Sequence, residues 1–235
     1  MTDLVRHTWA ASAIELNTGQ DFPVNLTRRH LLQAASGLAI TGAVMTLPAA
    51  AMAETVNMEE LLKPGPLGDK ILGSEDAPVT IVEYASMTCG HCAHFHKTTY
   101  PALKADYIDT GKVRFIFREF PLDAVAAAAF MLARSMPDDK YFEIVDTMFE
   151  QQSVWAFTDN PYNSLLNFSK QIGFTQESFE KALTNQGLLD AVNAVRDRGA
   201  NEFGVNATPT FFINGEKQSG ALSIEEMGKL INDKL

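Results

Sequence analysis

The sequence predicts an α/β fold in which one sheet is built from two stretches of chain, ordered β-α-β and β-β-α, with a helical insertion between them. Three observations predict it. Ala77 to Ala85 (APVTIVEYA) and Lys112 to Phe120 (KVRFIFREF) are rich in β-branched and aromatic residues and flank a helical pattern. Leu122 to about Phe203 reads as helix almost throughout. Near the C-terminus, Asn214-Gly215 is the strongest short hairpin signal, joining Thr210–Asn214 to Glu216–Ser219.

The elements follow in order. Residues 54–76 start with a short helical candidate around Met58 to Leu62, and Pro64, Gly65, Pro66 and Gly68 then break it into an arm and loop. Residues 77–121 hold strand, helix and strand, the helix running through His94, Tyr100, Leu103 and Tyr107 to Gly111. That length implies a parallel crossover. Residues 122–203 form the helical insertion. Within it, Asp123 to Met136 is Ala-rich, and Asp139 to Gln152 carries Phe142, Val145 and Phe149 on one face. Asn160-Pro161 supplies a cap and first-turn proline for a third helix, Thr175 begins a fourth, and Gly187 to Phe203 is a longer one stopped by Gly204. Residues 204–235 carry the hairpin and a last helix from Ser223.

Residues 1–53 read as an export signal rather than part of the fold. Arg28 and Arg29 precede a moderately apolar stretch from Leu31 to Leu47, and Ala51-Met52-Ala53 is a small-x-small cleavage pattern. Thr-Arg-Arg-x-Leu-Leu resembles the bacterial twin-arginine signal, a receptor-read address, which implies a cleaved leader and a periplasmic destination. Gln33, Gly37 and Gly42 interrupt the apolar run, which argues against an anchor needing about 20 apolar residues.

The chain has 235 residues, 46% of them apolar and 20% charged, which is the composition of a soluble globular domain. Its formal net charge of -10 argues against nucleic acid or an anionic membrane as partner. There are only two cysteines, in Cys89-Gly90-His91-Cys92. As a structural staple so short a ring gains only about 2 kcal/mol, so reactivity explains the pair better. Cys89 would sit at a helix N-terminus, where free amides and the macrodipole stabilise an anion, and a protonated His91 would add a favourable charge beside it. Cys89 is then the attacking thiolate and Cys92, one turn inside, the resolving thiol.

Glu83 precedes the pair within an apolar strand. The alternation Val79, Ile81, Glu83 places it on the side of apolar residues, where a buried carboxylate could take a proton from Cys92. His94 and His96 read as ordinary helix residues. Cys92 and His96, spaced i, i+4, leave a rival reading open: a copper- or zinc-binding thiol protein using Cys89, Cys92 and His96. No second ligand cluster follows, so no metal is expected. Thr208-Pro209 opens a strand, where a proline without a ladder donor is tolerated.

Together, Val82-Glu83-Tyr84 ending a strand, Cys-Gly-His-Cys and Thr208-Pro209 before a hairpin resemble the DsbA-like branch of thioredoxin-fold proteins, over roughly residues 68–235. The resemblance implies a thioredoxin-like core with an inserted helical domain. It implies a thiol–disulfide oxidoreductase with no cofactor beyond a redox-active Cys89–Cys92 disulfide. It implies that Thr208-Pro209 is a cis peptide facing the sulfurs and aligning substrate, and that Glu83 matches the family's buried acid. The implied partners are unfolded or newly exported cysteine-containing proteins and a membrane re-oxidising protein, with the chain acting as a monomer. Gly90-His91 resembles the dipeptide of protein disulfide isomerase, and a threonine before the proline resembles the isomerase DsbC, so an isomerase or reductase stands as the alternative within the class. The expected potential is about -180 to -120 mV.

Overall fold

The computed structural model describes residues 54–235, so the export signal lies outside the described residues. Five strands form one sheet in the order β1-β3-β2-β4-β5: β1 Lys70–Leu72, β2 Val79–Ala85, β3 Val113–Glu119, β4 Thr210–Ile213 and β5 Glu216–Ser219. The β2–β3 pair is parallel, as a strand-helix-strand crossover requires, and the other three pairings are antiparallel. Asn214 (φ 45°) and Gly215 (φ 87°) turn the β4–β5 hairpin through left-handed backbone, which asparagine and glycine adopt most easily.

The helices are α1 Met58–Leu61, α2 Gly90–Thr98, α3 Tyr100–Leu103, α4 Ala124–Arg134, α5 Tyr141–Glu150, α6 Gln152–Trp155, α7 Pro161–Gln171, α8 Gln176–Leu183, α9 Gln186–Phe203 and α10 Ile224–Asn232. Six of them start where a polar side chain caps the first turn: Asn57, Asp123, Asn160, Thr175, Asn185 and Ser223 each accept from a backbone N–H three residues on. The segment after the cysteines is shorter than its pattern predicts. The α-helix breaks at Thr99, and Pro101, which has no N–H to donate, sits in α3. A π-helical turn, Lys104–Ile108, then carries the chain to Gly111.

Every residue of β2 is buried, because both faces of the sheet are covered. Strand alternation divides them. Val79, Ile81 and Ala85 pack with Phe115, Phe117 and Phe211 under α2, α4 and α5. Val82 and Tyr84 pack with Ile116 and Phe212 against Leu61 of α1 and Val195 and Phe203 of α9. Glu83 shares the first face, and is therefore carried beneath the helix that begins at the cysteines.

β1 has no counterpart in the sequence pattern. It pairs with β3, extending the sheet by one edge strand within the segment that reads as an arm. A buried ionic network anchors the helical segment to the sheet: Arg134 of α4 pairs with Glu119 at the end of β3, and Tyr141 of α5 donates to the same carboxylate at 2.7 Å. On the opposite face Arg118 pairs with Asp69 and donates to Tyr84 Oη, both at 2.9 Å.

Candidate active site

Cys89 is the residue preceding α2, with extended backbone (φ -86°, ψ 119°) and no side-chain cap over the helix end. The backbone N–H groups of His91 and Cys92 are thus free to point at its sulfur. The Cys89 thiol is lowered to about 5 from an ordinary value of 9. The largest cause is a hydrogen bond from the Cys92 thiol. Burial works against it, and a Thr208 side-chain hydrogen bond and the Cys92 and His91 amides add to the lowering. Cys92, fully buried, is raised well above 9 by burial first, then by its bond to Cys89 and the nearby charges of Glu83 and Cys89. Both cysteines are free, so this is the reduced form of the pair.

The loop before the cysteines is fixed from three directions. Cys89 N–H donates to Ser86 O at 3.0 Å. Thr88 Oγ1 donates at 2.7 Å to Asp123, the residue that caps α4. Gln152 of α6 is buried and donates through Nε2 to two backbone carbonyls, Met87 O at 2.8 Å and Cys89 O at 3.0 Å. The helical segment therefore holds the sulfur-bearing turn directly.

The Thr208–Pro209 bond is cis. It brings Thr208 beside the pair, and Cys89 Sγ donates to Thr208 O at 3.2 Å. Thr208 Oγ1 is buried and has no protein partner in the reduced form other than that sulfur.

Glu83 is fully buried. Its Oε2 meets His96 Nε2 at 3.1 Å, and its Oε1 has no hydrogen-bond partner. His96 is also buried. Its Nδ1 lies 3.3 Å from Asp146 Oδ1, and its ring stacks on Phe149 at 4.4 Å. Burial disfavours its charge, but Glu83 and Asp146 outweigh burial and raise the imidazole to about 9.

The family profile described as Thioredoxin matches residues 67–233. The crystal structure of Wolbachia pipientis α-DsbA1 is 31% identical, with a TM-score of 0.69, covering 76% of this chain and 96% of that one. The chain belongs to the DsbA-like branch of the thioredoxin family. A Rickettsia felis protein provisionally named a protein-disulfide oxidoreductase is 34% identical over 169 residues, which is 71% of this chain and 60% of that relative's length. BdbD from Bacillus subtilis, at 20% identity and a TM-score of 0.62, shares the fold.

Of the side chains the sequence singles out in this DsbA-like chain, Cys89, Cys92, Glu83, Thr208 and Pro209 lie together around the start of α2. The His91 side chain is exposed, and its backbone N–H is directed at the Cys89 sulfur. His96 differs from expectation. It is not an ordinary helix residue, and because Glu83 and Asp146 occupy both ring nitrogens it is not free to join the cysteines as a metal ligand. Gln152 and Asp146 carry no sequence signal. His96 has one, since i, i+4 from Cys92 places it on the same buried face.

Proposed function

We propose that this chain is a protein-disulfide oxidoreductase that donates a Cys89–Cys92 disulfide to cysteine-bearing polypeptides. A substrate thiolate attacks Cys89 Sγ, the Cys89–Cys92 bond breaks, and its electron pair passes to Cys92, which takes up a proton. A second substrate thiolate then attacks the substrate sulfur of the mixed disulfide and expels Cys89 as thiolate. The substrate loses two electrons and the chain gains them.

The observation that carries this reading is the opposed acidity of the two thiols. An acidic Cys89 is a good leaving group, and stabilising its thiolate favours the reduced form, which makes the disulfide oxidising. At pH 7 a shift from 9 to about 5 is worth at most about 3 kcal/mol, less after solvent screening of a half-buried sulfur. That corresponds to at most about 60 mV toward the oxidising side.

Cys89 and Cys92 act as the exchanging pair, with Glu83 as proton acceptor for Cys92. Thr208 and Pro209 align the substrate backbone, which fits the closeness of Thr208 O to Cys89 Sγ. Leu122 (55% exposed) adjoins the cysteine loop through its N–H to Ser86 Oγ, and Val154 (54% exposed) follows Gln152, so both offer apolar surface to an unfolded chain beside the sulfur. The Arg28-Arg29 leader pattern supports action on exported proteins in the periplasm, with a membrane protein as re-oxidant.

Equilibration with glutathione buffers tests the direction. An oxidase gives a potential of about -180 to -120 mV, whereas a value near -270 mV, that of thioredoxin, makes the chain a reductant. Replacing Cys89 by Ser abolishes exchange in either case.

A further inference from the structure

We propose that His96 and Asp146 form the proton outlet of Glu83, connecting the buried Cys92 thiol to solvent through the back of α2. The inference rests on the disulfide-exchange reading and assigns the route by which its proton leaves.

Cys92 and Glu83 are both fully buried, so a proton released by Cys92 needs a path. Glu83 offers Oε1, unpartnered, on one side, while its Oε2 is committed to His96 Nε2. The other ring nitrogen meets Asp146, whose side chain is 43% exposed. A cleft of about 560 Å³ lies there, lined by His96, Asp146, Lys97, Tyr100, Lys104 and Glu150 among others, and its lining includes neither cysteine. A chain of donors and acceptors thus runs from Glu83 through His96 to Asp146 at the cleft, and the unpartnered Glu83 Oε1 lies near enough to Cys92 for the carboxylate's charge to act on the thiol. Phe149 and Phe117 hold the ring in plane for both contacts.

When Cys92 attacks the mixed disulfide on Cys89, its S–H proton passes to Glu83, its electron pair forms the Cys89–Cys92 bond, and the bond from Cys89 to the partner sulfur breaks with its pair leaving on the partner as thiolate. As that proton arrives on Glu83, the imidazolium of His96, whose Nε2–H stays on Glu83 Oε2, gives up its Nδ1 proton to Asp146 and on to solvent. In the oxidase direction the same path runs inward, delivering a proton to Cys92 as the bond breaks. Only protons move along it, so the relay needs no oxidant. An imidazole between two carboxylates suits this, because Nδ1 can release and regain its proton while Nε2–H holds Glu83 in place.

His96 and Asp146 are positioning residues, since neither touches the reacting sulfurs. The charged and titratable groups facing His96 are Glu83 from β2, Asp146 and Glu150 from α5, Cys92 and Lys97 from α2, Tyr100 from α3, and Lys104 beyond it.

The test is single-turnover resolution of a Cys89–glutathione mixed disulfide, followed from pH 5 to 9 in the full chain. Asp146→Asn, at a partly exposed position, and His96→Gln slow glutathione release at least tenfold. Their rates become dependent on buffer concentration, added imidazole accelerates them, and Asp146→Glu restores the wild-type profile. The pH dependence of Cys89 alkylation in the reduced variants stays as in the wild type, which a merely structural role would not explain. If folded Asp146→Asn resolves at the wild-type rate throughout, the relay is overturned and the exchange activity stands. If the wild type itself exchanges no disulfide, both fall.

Discussion

Replacing Gln152 by Leu removes the two hydrogen bonds that the helical segment gives to the cysteine loop while keeping a side chain of similar bulk. The two acceptors do not suffer equally. Cys89 O keeps the bond from Ala93 N at 3.1 Å, so losing its second donor costs about 0.5–1.5 kcal/mol. Met87 O has no other donor among the described residues, and leaving it buried and unpaired costs about 1–3 kcal/mol. The expected loss is about 1.5–4.5 kcal/mol. Urea unfolding of the oxidised protein reads this as a midpoint lower by about 1 M at an m-value of about 2–3 kcal/mol/M that does not change. Gln152→Glu, which cannot donate when ionised, destabilises at least as much. A loss below about 1 kcal/mol in Gln152→Leu, at unchanged m, refutes the claim that α6 holds the turn.

Two further outcomes follow from the same contacts. Gly199→Ala would place a Cβ 2.7 Å from Tyr84 Cε1, and that ring is pinned by Arg118 and by the edges of Phe120 and Phe212. The substitution therefore lowers the melting temperature instead of giving the gain of about 1 kcal/mol usual for glycine to alanine in a helix; a raised melting temperature contradicts this. The stability difference between reduced and oxidised protein rises with pH. The folded Cys89 value is depressed, so its contribution is complete above the unfolded value near 9 and is lost as pH falls through about 5. His96, raised to about 9, contributes below its unfolded value and loses that contribution as pH rises through 9, but it does so in both redox forms and cancels in the difference. Paired urea titrations at pH 5, 6.5 and 8 measure the trend, and a difference that stays flat contradicts it.

What was legible in the sequence depended on whether the deciding contact was local. The β2 strand, the cysteine turn, the Asn214-Gly215 hairpin and the starts of α7, α8 and α10 rest on neighbours in sequence, such as capping by Asn160, Thr175 and Ser223. Glu83 was readable as buried because strand alternation is a period of two. β1 was not, because three residues are too few to show alternation and its formation depends on pairing with β3. The break between α2 and α3 was marked by Pro101, a signal outweighed by the apolar spacing around it. Gln152 and Asp146 depend on partners 50 or more residues away, and no local pattern encodes them, whereas the i, i+4 spacing of His96 from Cys92 marked its face but not the two carboxylates it meets.

The account depends most on Cys89 being acidic while Cys92 is not. Ultraviolet absorbance of the thiolate, recorded on the reduced protein from pH 3 to 10 with Cys89→Ser as blank, tests this directly. One thiol ionising near pH 5 is the expected result. A single transition at about 8.5, the value of an unperturbed cysteine, contradicts the account.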